Sequence, residues 1–460
     1  MTQDRCRSLR TQVDRLRIAD LANLWAESPG QPSQIALLIQ FDAGPFLDEQ
    51  GRFAPQRVRA ELAQRARQVP ALTRQVLWTH PGEGRPVWVR DPEFDPADHI
   101  TCSSLGPGED LLGWAADRVV RPLDHARPLW RAEIVDGLPE GRFGLLVVVH
   151  HAVADGLTGL AITTALLDPD PITRPANPPP ARVAPLPSRR ALVADHLLTS
   201  LRTSVIAAAR RRPHLPDDLR HVAYQVRNAA SDVLAPAPTT SLPRRVGLGR
   251  RLAAVRVPLA ELRAAGHAHN ATVNDLVLAA VTSGLRDLLH AHGDDPAGLV
   301  LRAAFPVGEL PGQHAGMLLV GLPVGEPDPL RSLTTITTAT TVMKTRVRAD
   351  GGDVFDILHL PRPVARLAVR WMRHAARRHI NLFVTNVPGP THPLWLAGAQ
   401  MLDAVPVAPL TADVPVGVAA LSYTGTLAIS VNVDAAVTDV DALARGIARG
   451  FIDLGVSPRS

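Results

Sequence analysis

Phe143-Gly144-Leu145-Leu146-Val147-Val148-Val149-His150-His151-Ala152-Val153-Ala154-Asp155-Gly156 is the stretch whose reading decides the fold. Its first seven residues form an apolar run preceded by a turn at Pro139-Glu140-Gly141, which predicts a buried strand over 143–149. A partner strand is expected over 132–135, on the other side of that turn. The strand delivers two histidines to its C-terminal end. Asp155 and Gly156 then close a short turn, and Leu157, Leu160, Ala161 and Leu166 give the following helix an apolar face. Ends of strands that run into starts of helices are where α/β folds put their chemistry.

Outward from this stretch the same alternation continues. Residues 33–44 read as a strand, 56–68 as a helix, 86–89 as a short strand and 107–120 as a helix. The segment 168–187 is dense in proline and reads as a linker. A helical stretch over 188–212 carries Arg202, Arg210, Arg211 and Arg212, and a polar stretch over 235–251 follows. Strands are expected at 252–257, 300–306, 317–322, 382–386 and 427–433. Helices are expected at 273–289, capped by Thr272 or Asn270, and at 363–378, which is basic. Strands mixed with helices on both sides of the linker predict two α/β lobes. The expected division is a first lobe over 1–185, a linker with its basic helix over 186–245, and a second lobe over 246–460.

A chain of 460 residues suits two cores of about 200 residues each better than one. Aromatics are only 4%, so Leu, Val and Ala must do most of the packing. The formal net charge of +5 is small for this length, and no dense Lys/Arg block is interleaved with aromatics. Nucleic acid is therefore discounted as a partner. The mild positive bias suits an anionic substrate or a lipid surface. Cys6 and Cys102 are the only cysteines, so neither a disulfide framework nor a zinc site is expected. Residues 1–17 are polar, and no run approaches the roughly 18 apolar residues of a membrane span. These features predict a cytoplasmic protein, with peripheral contact at the inner membrane surface as a further expectation.

The residue types in 150–156 suit general-base chemistry. Imidazole has an ordinary pKa of about 6.5, so most of it is neutral and able to take a proton at pH 7. Adjacent residues on an extended segment point to opposite sides, so one histidine can face a cleft while the other faces the interior. A carboxylate four residues further on can hold a tight turn. A thioester donor is already activated. One base that deprotonates an acceptor hydroxyl therefore suffices, with a contribution of roughly 10²- to 10⁴-fold. The remainder must come from positioning and from stabilising the oxyanion. A histidine near a strand end is otherwise most often structural. Metal ligation is a further alternative, but adjacent histidines rarely chelate one ion and no fourth ligand is evident, so no metal is expected.

His150–Gly156 resembles the HHxxxDG motif of bacterial wax ester synthase/diacylglycerol acyltransferases, within the coenzyme-A-dependent acyltransferases that also include peptide-synthetase condensation domains. Pro122-Leu123-Asp124-His125-Ala126-Arg127-Pro128-Leu129-Trp130 is similar to the family's PLDxxRPLW. Thr272-Val273-Asn274-Asp275 is similar to its TVND. Asn386-Val387-Pro388-Gly389-Pro390 and Pro393–Ala399 are similar to its NVPGP…PLYLAGA stretch, and Ser422-Tyr423-Thr424-Gly425 to its SYxG. These segments follow the family's order over roughly residues 20–455. The chain departs from it at Gly308-Glu309-Leu310, where Ser-x-Arg is usual, at Gly316-Met317, where Gly-Asn is usual, and around Leu242-Pro243. Residues 20–27 follow it only loosely.

The resemblance implies a two-lobed fold with mixed sheets, flanking helices and an active-site tunnel between lobes. It implies His151 as the base facing the tunnel, His150 as structural, Asp155 as the holder of the turn, paired with an arginine such as Arg127, and Gly156 as room for the substrate. Asn274 and Asp275 would support the site from the second lobe, and Asn386, Pro388 and Gly389 would form a loop near the lobe interface. On their own, Asn274 and Asp275 are equally explained as the opening of a helix. The implied activity is transfer of a fatty acyl group from acyl-CoA, as substrate, to a long-chain alcohol or diacylglycerol, with no cofactor. A carrier-protein donor, as in condensation-type enzymes, and a non-catalytic lipid-binding relative are the alternatives. Neutral lipids live at interfaces, so the basic helices at 188–212 and 363–378 are candidates for contact with a membrane or lipid droplet.

Overall fold

Two six-stranded mixed sheets organise the chain. The computed structural model describes residues 13–172, 185–210, 236–307, 316–350 and 362–459. In the first part, α1 (Ile18–Ala26) precedes β1 (Gln34–Asp42), and α2 (Pro55–Ala66) follows. A separate antiparallel hairpin comprises β2 (Arg74–Leu77) and β3 (Val87–Arg90). Then come β4 (Ile100–Ser104), α3 (Leu111–Val119), β5 (Trp130–Leu138), β6 (Arg142–His150), α4 (Gly156–Thr164) and α5 (Arg189–Arg210).

The second part runs through β7 (Arg250–Pro258), α6 (Leu259–Ala268), α7 (Val273–Ala291), β8 (Leu301–Val307), β9 (Gly316–Leu322), α8 (Pro329–Asp350) and α9 (Arg362–His379). It continues with β10 (Leu382–Val387), β11 (Trp395–Leu396), β12 (Ala399–Val407), β13 (Val416–Tyr423), β14 (Thr426–Asp434) and α10 (Val440–Asp453). The first sheet has the order β11-β12-β1-β6-β5-β4 and the second β7-β14-β13-β10-β8-β9.

The apolar run 143–149 lies in β6, a central strand covered on both faces. Its residues alternate between two cores, as the period of a strand requires. Phe143, Leu145, Val147 and Val149 pack with Val58 and Leu62 of α2. Leu146 and Val148 pack with Trp114 of α3 and Leu252 of β7. The second sheet is built around α7 and α10, which pack against one another over a core of Leu, Val and Ala.

Two expected elements change length most. The helix expected over 107–120 is shortened to α3, because the Asp110 carboxylate accepts from the backbone N–H groups of Leu112 and Gly113, both at 2.8 Å, and starts the helix there. The strand expected over 132–135 extends across all of β5, whose far end pairs with β6 through Leu138 and Arg142.

The expected second lobe over 246–460 requires a larger correction. β11 and β12 lie in that range, yet β12 pairs antiparallel with β1, from Ala36 opposite Val407 to Phe41 opposite Met401. Residues 395–407 therefore belong to the first sheet. Pro406 obscures β12 in the sequence. Proline is tolerated on a strand whose outer side carries no continuous partner, and β11 covers only the opposite end of β12. Parts of the linker and of the first basic stretch, residues 173–184 with Arg211 and Arg212, lie outside the described residues, as does Gly308–Leu310.

Candidate active site

The end of β6 is clamped from several directions. The backbone N–H of His150 donates to Leu129 O at 3.0 Å, and that of His151 to Ser33 O at 2.7 Å. Asn23 of α1 reaches the His151 carbonyl at 3.4 Å. The turn closes through Val153 N–H to His150 O at 2.9 Å. This fixes the two histidines between α1, the start of β1 and the start of β5.

His150 is fully buried. Its Nδ1 accepts the Ala152 N–H at 2.9 Å, and its Nε2 lies 3.0 Å from Glu27 Oε1. A nitrogen that accepts from an N–H carries no proton of its own, so neutral His150 is the tautomer that donates from Nε2 to the carboxylate. The other Glu27 oxygen, Oε2, is 2.9 Å from His125 Nε2. Burial alone would raise the Glu27 carboxyl. Hydrogen bonds from His125, His150 and the Ser33 N–H outweigh it and hold the pKa at about 2. The bond to Glu27 raises His125 in turn, against its partial burial.

His151 is half-buried. Burial lowers its pKa from the ordinary value. The neutral imidazole, the form able to accept a proton, is thereby favoured.

Other expected site residues have different surroundings. Asp155 is exposed and caps α4, accepting from Thr158 N–H at 2.9 Å. It is not paired with Arg127, whose guanidinium is 2.9 Å from Asp98 in an exposed ion pair. The reason is local: Asp155 is turned onto its own helix start. Gly156 does face something close, but it is protein. A Cβ there would come within 3.0 Å of Val387 Cγ2 at the end of β10, so the glycine lets the HHxxxDG turn approach the second sheet.

Asp275 is buried and completes a capping box with Thr272, accepting its N–H at 2.9 Å and its hydroxyl at 2.6 Å. Its other oxygen accepts from Thr340 of α8 at 2.7 Å. Asn274 is half-buried beside it on the first turn of α7. Asn386 is the penultimate residue of β10, opposite Ala420 of β13. Pro388 is exposed, and Gly389 donates its N–H to Ser422 Oγ at 3.0 Å. A Cβ at Gly389 would lie 2.0 Å from Ser422 O, so only glycine fits. Tyr423 completes this corner, donating its hydroxyl to Met401 O at 2.9 Å and accepting the Leu394 N–H at 3.0 Å. These contacts bind the loop to β12 and β13.

Sequence reasoning missed Glu27. The signal available was an acid placed directly after α1, where the helix dipole disfavours negative charge and local stability gives no reason for it. It also missed the role of His125, inside a motif whose arginine drew the attention. A cleft of about 390 Å³ between the sheets is lined by Gln40, Arg142, Arg256, Asp403, Tyr423 and Arg459 among others. It sits at the other end of β1 from His150, which pairs with Gln34. His151 is not among its lining residues.

Comparison with known proteins gives a consistent picture. Residues 16–277 match the family model of the wax ester synthase/diacylglycerol acyltransferase catalytic domain, and residues 312–454 that of the C-terminal domain of the same family. A Mycobacterium tuberculosis protein named as a diacylglycerol O-acyltransferase is 29% identical over 377 residues, spanning 79% of this chain and 80% of that protein. Another from the same organism is 30% identical over 370 residues, spanning 76% and 78%. Among solved structures, the wax ester synthase/diacylglycerol acyltransferase from Marinobacter aquaeolei superposes with a TM-score of 0.66 at 22% identity, covering 96% of this chain and all of that one. The first condensation domain of the calcium-dependent antibiotic synthetase gives 0.57 at 16%, covering 98% and all of it. The two-sheet architecture is the one these structures share. With family matches over both halves and the HHxxxDG turn at the junction of the sheets, the chain belongs to the wax ester synthase/diacylglycerol acyltransferase family.

Proposed function

We propose that this acyltransferase moves a fatty acyl group from acyl-CoA to a long-chain alcohol or diacylglycerol, with His151 as general base. The observation that carries the reading is a half-buried imidazole, whose burial favours the neutral form, at the end of a clamped central strand, on a turn pressed against the second sheet through Gly156 and Val387. The acceptor hydroxyl loses its proton to His151 as its oxygen attacks the thioester carbonyl. The tetrahedral intermediate then collapses, the carbon–sulfur bond breaks, and the coenzyme A thiolate takes the proton back from the imidazolium. The steps balance with no further group, so acyl-CoA enters as substrate only. Relatives named as diacylglycerol O-acyltransferases favour diacylglycerol as acceptor.

A lipid surface is the proposed place of work. Among the described residues no helix is long and apolar enough to cross a membrane. Two helices nevertheless expose apolar side chains beside basic ones. On α5 these are Leu197, Leu198 and Leu201, and on α9 they are Leu367, after Arg366, and Trp371, after Arg370. Buried apolar area plus attraction to anionic headgroups is how such helices lie on membranes.

The deciding experiment measures release of free coenzyme A from palmitoyl-CoA, with hexadecanol or dipalmitoylglycerol as acceptor, for the wild type and His151→Ala. Acceptor-dependent release that disappears in the variant supports the reading and begins to name the acceptor. Release that survives in His151→Ala rules out the base assigned here.

A further inference from the structure

The arrangement around His150 goes beyond a buried structural histidine. One carboxylate, Glu27, bridges two imidazoles, with His150 Nε2 at 3.0 Å and His125 Nε2 at 2.9 Å. The imidazole rings meet edge to face, their centroids 5.6 Å apart. The same carboxylate accepts the Ser33 N–H at 2.8 Å, and the Ser33 carbonyl in turn accepts the His151 N–H. A chain of hydrogen bonds thus runs from the half-buried His125, through Glu27, to both residues of the histidine pair. Both Glu27 oxygens and both His150 ring nitrogens are engaged, as a buried polar network requires.

Resting on the assignment of His151 as base, we infer that Glu27 and His125 are positioning residues: His125 supplies the donor that holds the Glu27 carboxylate, and that carboxylate, accepting the His150 Nε2–H, holds the His150 ring and the turn that carries His151.

Three points support this. Glu27 stands at the C-terminal end of α1, where a negative charge is unfavourable for the helix and a cation is favoured, so an adjacent imidazolium at His125 offsets a local cost. The bond to Glu27 raises His125, which favours the form that donates to the carboxylate, and His150 is sealed from solvent. The tautomer also decides what the cluster is. Glu27, His125 and His150 present three ligand-type atoms within 4.8 Å of one another, which by spacing alone resembles a cation site. The Ala152 N–H on His150 Nδ1 leaves the proton on Nε2, however, and that nitrogen then has no lone pair for a metal.

The test compares Glu27→Gln, His125→Leu and His125→Gln as full-length proteins, with thermal unfolding as the control for folding. Glutamine at 125 keeps a donor for the carboxylate and leucine does not. Losing a charge-assisted bond in this chain is expected to lower kcat by roughly 10- to 100-fold in Glu27→Gln and His125→Leu, with KM for palmitoyl-CoA little changed. His125→Gln should restore most of the rate. Independently of turnover, ¹⁵N-histidine NMR should report His150 as the Nε2–H tautomer, with its Nε2–H proton far downfield in the wild type and moved upfield in Glu27→Gln, where the charged acceptor is lost. That spectrum separates failure of this inference from failure of the His151 assignment, because it does not depend on catalysis. Wild-type turnover in both Glu27→Gln and His125→Leu would overturn the inference. So would equal losses in His125→Gln and His125→Leu, or a His150 Nε2–H resonance unchanged in Glu27→Gln. One equivalent of zinc retained by the purified protein and lost in His125→Gln would overturn it in favour of a metal site.

Discussion

Burial at His151 favours the neutral imidazole, the form that the proposed base needs. Because its pKa lies below the ordinary value, the neutral base persists to lower pH than a free imidazole would allow. The pH profile of kcat/KM should therefore rise along a single acid limb with its midpoint below about 6.5 and stay flat through pH 7. A midpoint above that value would contradict a desolvated base. Arg127 is the opposite case. Its partner is Asp98, and both side chains are 53% exposed. Arg127→Ala should cost less than about 1 kcal/mol and leave coenzyme A release near the wild-type rate. Gly156 gives a sharper test of packing. Gly156→Ala places a methyl group against Val387 and should destabilise the fold by about 1–3 kcal/mol in denaturant unfolding, with recovery in the double variant Gly156→Ala/Val387→Ala. At this scale the sequence revealed the histidine pair and the glycines. It did not reveal Glu27, because a single acid has meaning only through the two imidazoles that the fold brings to it.

Elements were legible where pattern and burial agree. β6 reads as a strand because both of its faces are apolar, and α7 because Thr272 and Asp275 cap it. β12 was not legible, because its partner is chosen by tertiary structure and Pro406 argues locally against a strand. What holds this crossing segment in the first sheet is a buried ion pair. Arg65 of α2 meets Asp168 through two bonds of 2.7 and 2.8 Å, and both side chains are almost fully buried. Asp168 also accepts the Ala397 N–H at 3.0 Å, and its backbone exchanges two hydrogen bonds with Trp395 of β11. Asp168→Ala would leave the buried guanidinium with only the more distant Glu61 carboxylate, at 3.7 Å, a loss expected at about 3 kcal/mol and measurable as a lower urea midpoint. A change below 1 kcal/mol would mean that β12 stays in the sheet without this anchor.

At the scale of the molecule, the two sheets are fastened to one another. Leu421 and Tyr423 of β13 belong to the core under the first sheet, and Val387 of β10 packs against it. Gln31 and Asp413 exchange two hydrogen bonds of 2.8 and 2.9 Å, and Arg373 of α9 donates to Ser28 Oγ at 3.0 Å, one residue beyond Glu27. Heat should therefore unfold both sheets in one transition. The outward face of α9 remains available for a lipid surface, and Leu367→Ser/Trp371→Ser should reduce co-sedimentation with anionic vesicles while leaving thermal stability within about 0.5 kcal/mol. Unchanged co-sedimentation would exclude α9 as the docking helix. The sequence indicated two lobes, but their fastening lies in contacts between distant segments that periodicity cannot report. The position of β12 also has a consequence for biosynthesis. β1 lies between β6 and β12, and β12 leaves the ribosome only after most of the chain has been made. Until then one side of β1 offers a row of unpaired N–H and C=O groups to any neighbouring nascent chain. Truncated transcripts and stalled translation should therefore yield an insoluble amino-terminal half, and chaperone demand during expression should peak before residues 399–407 emerge.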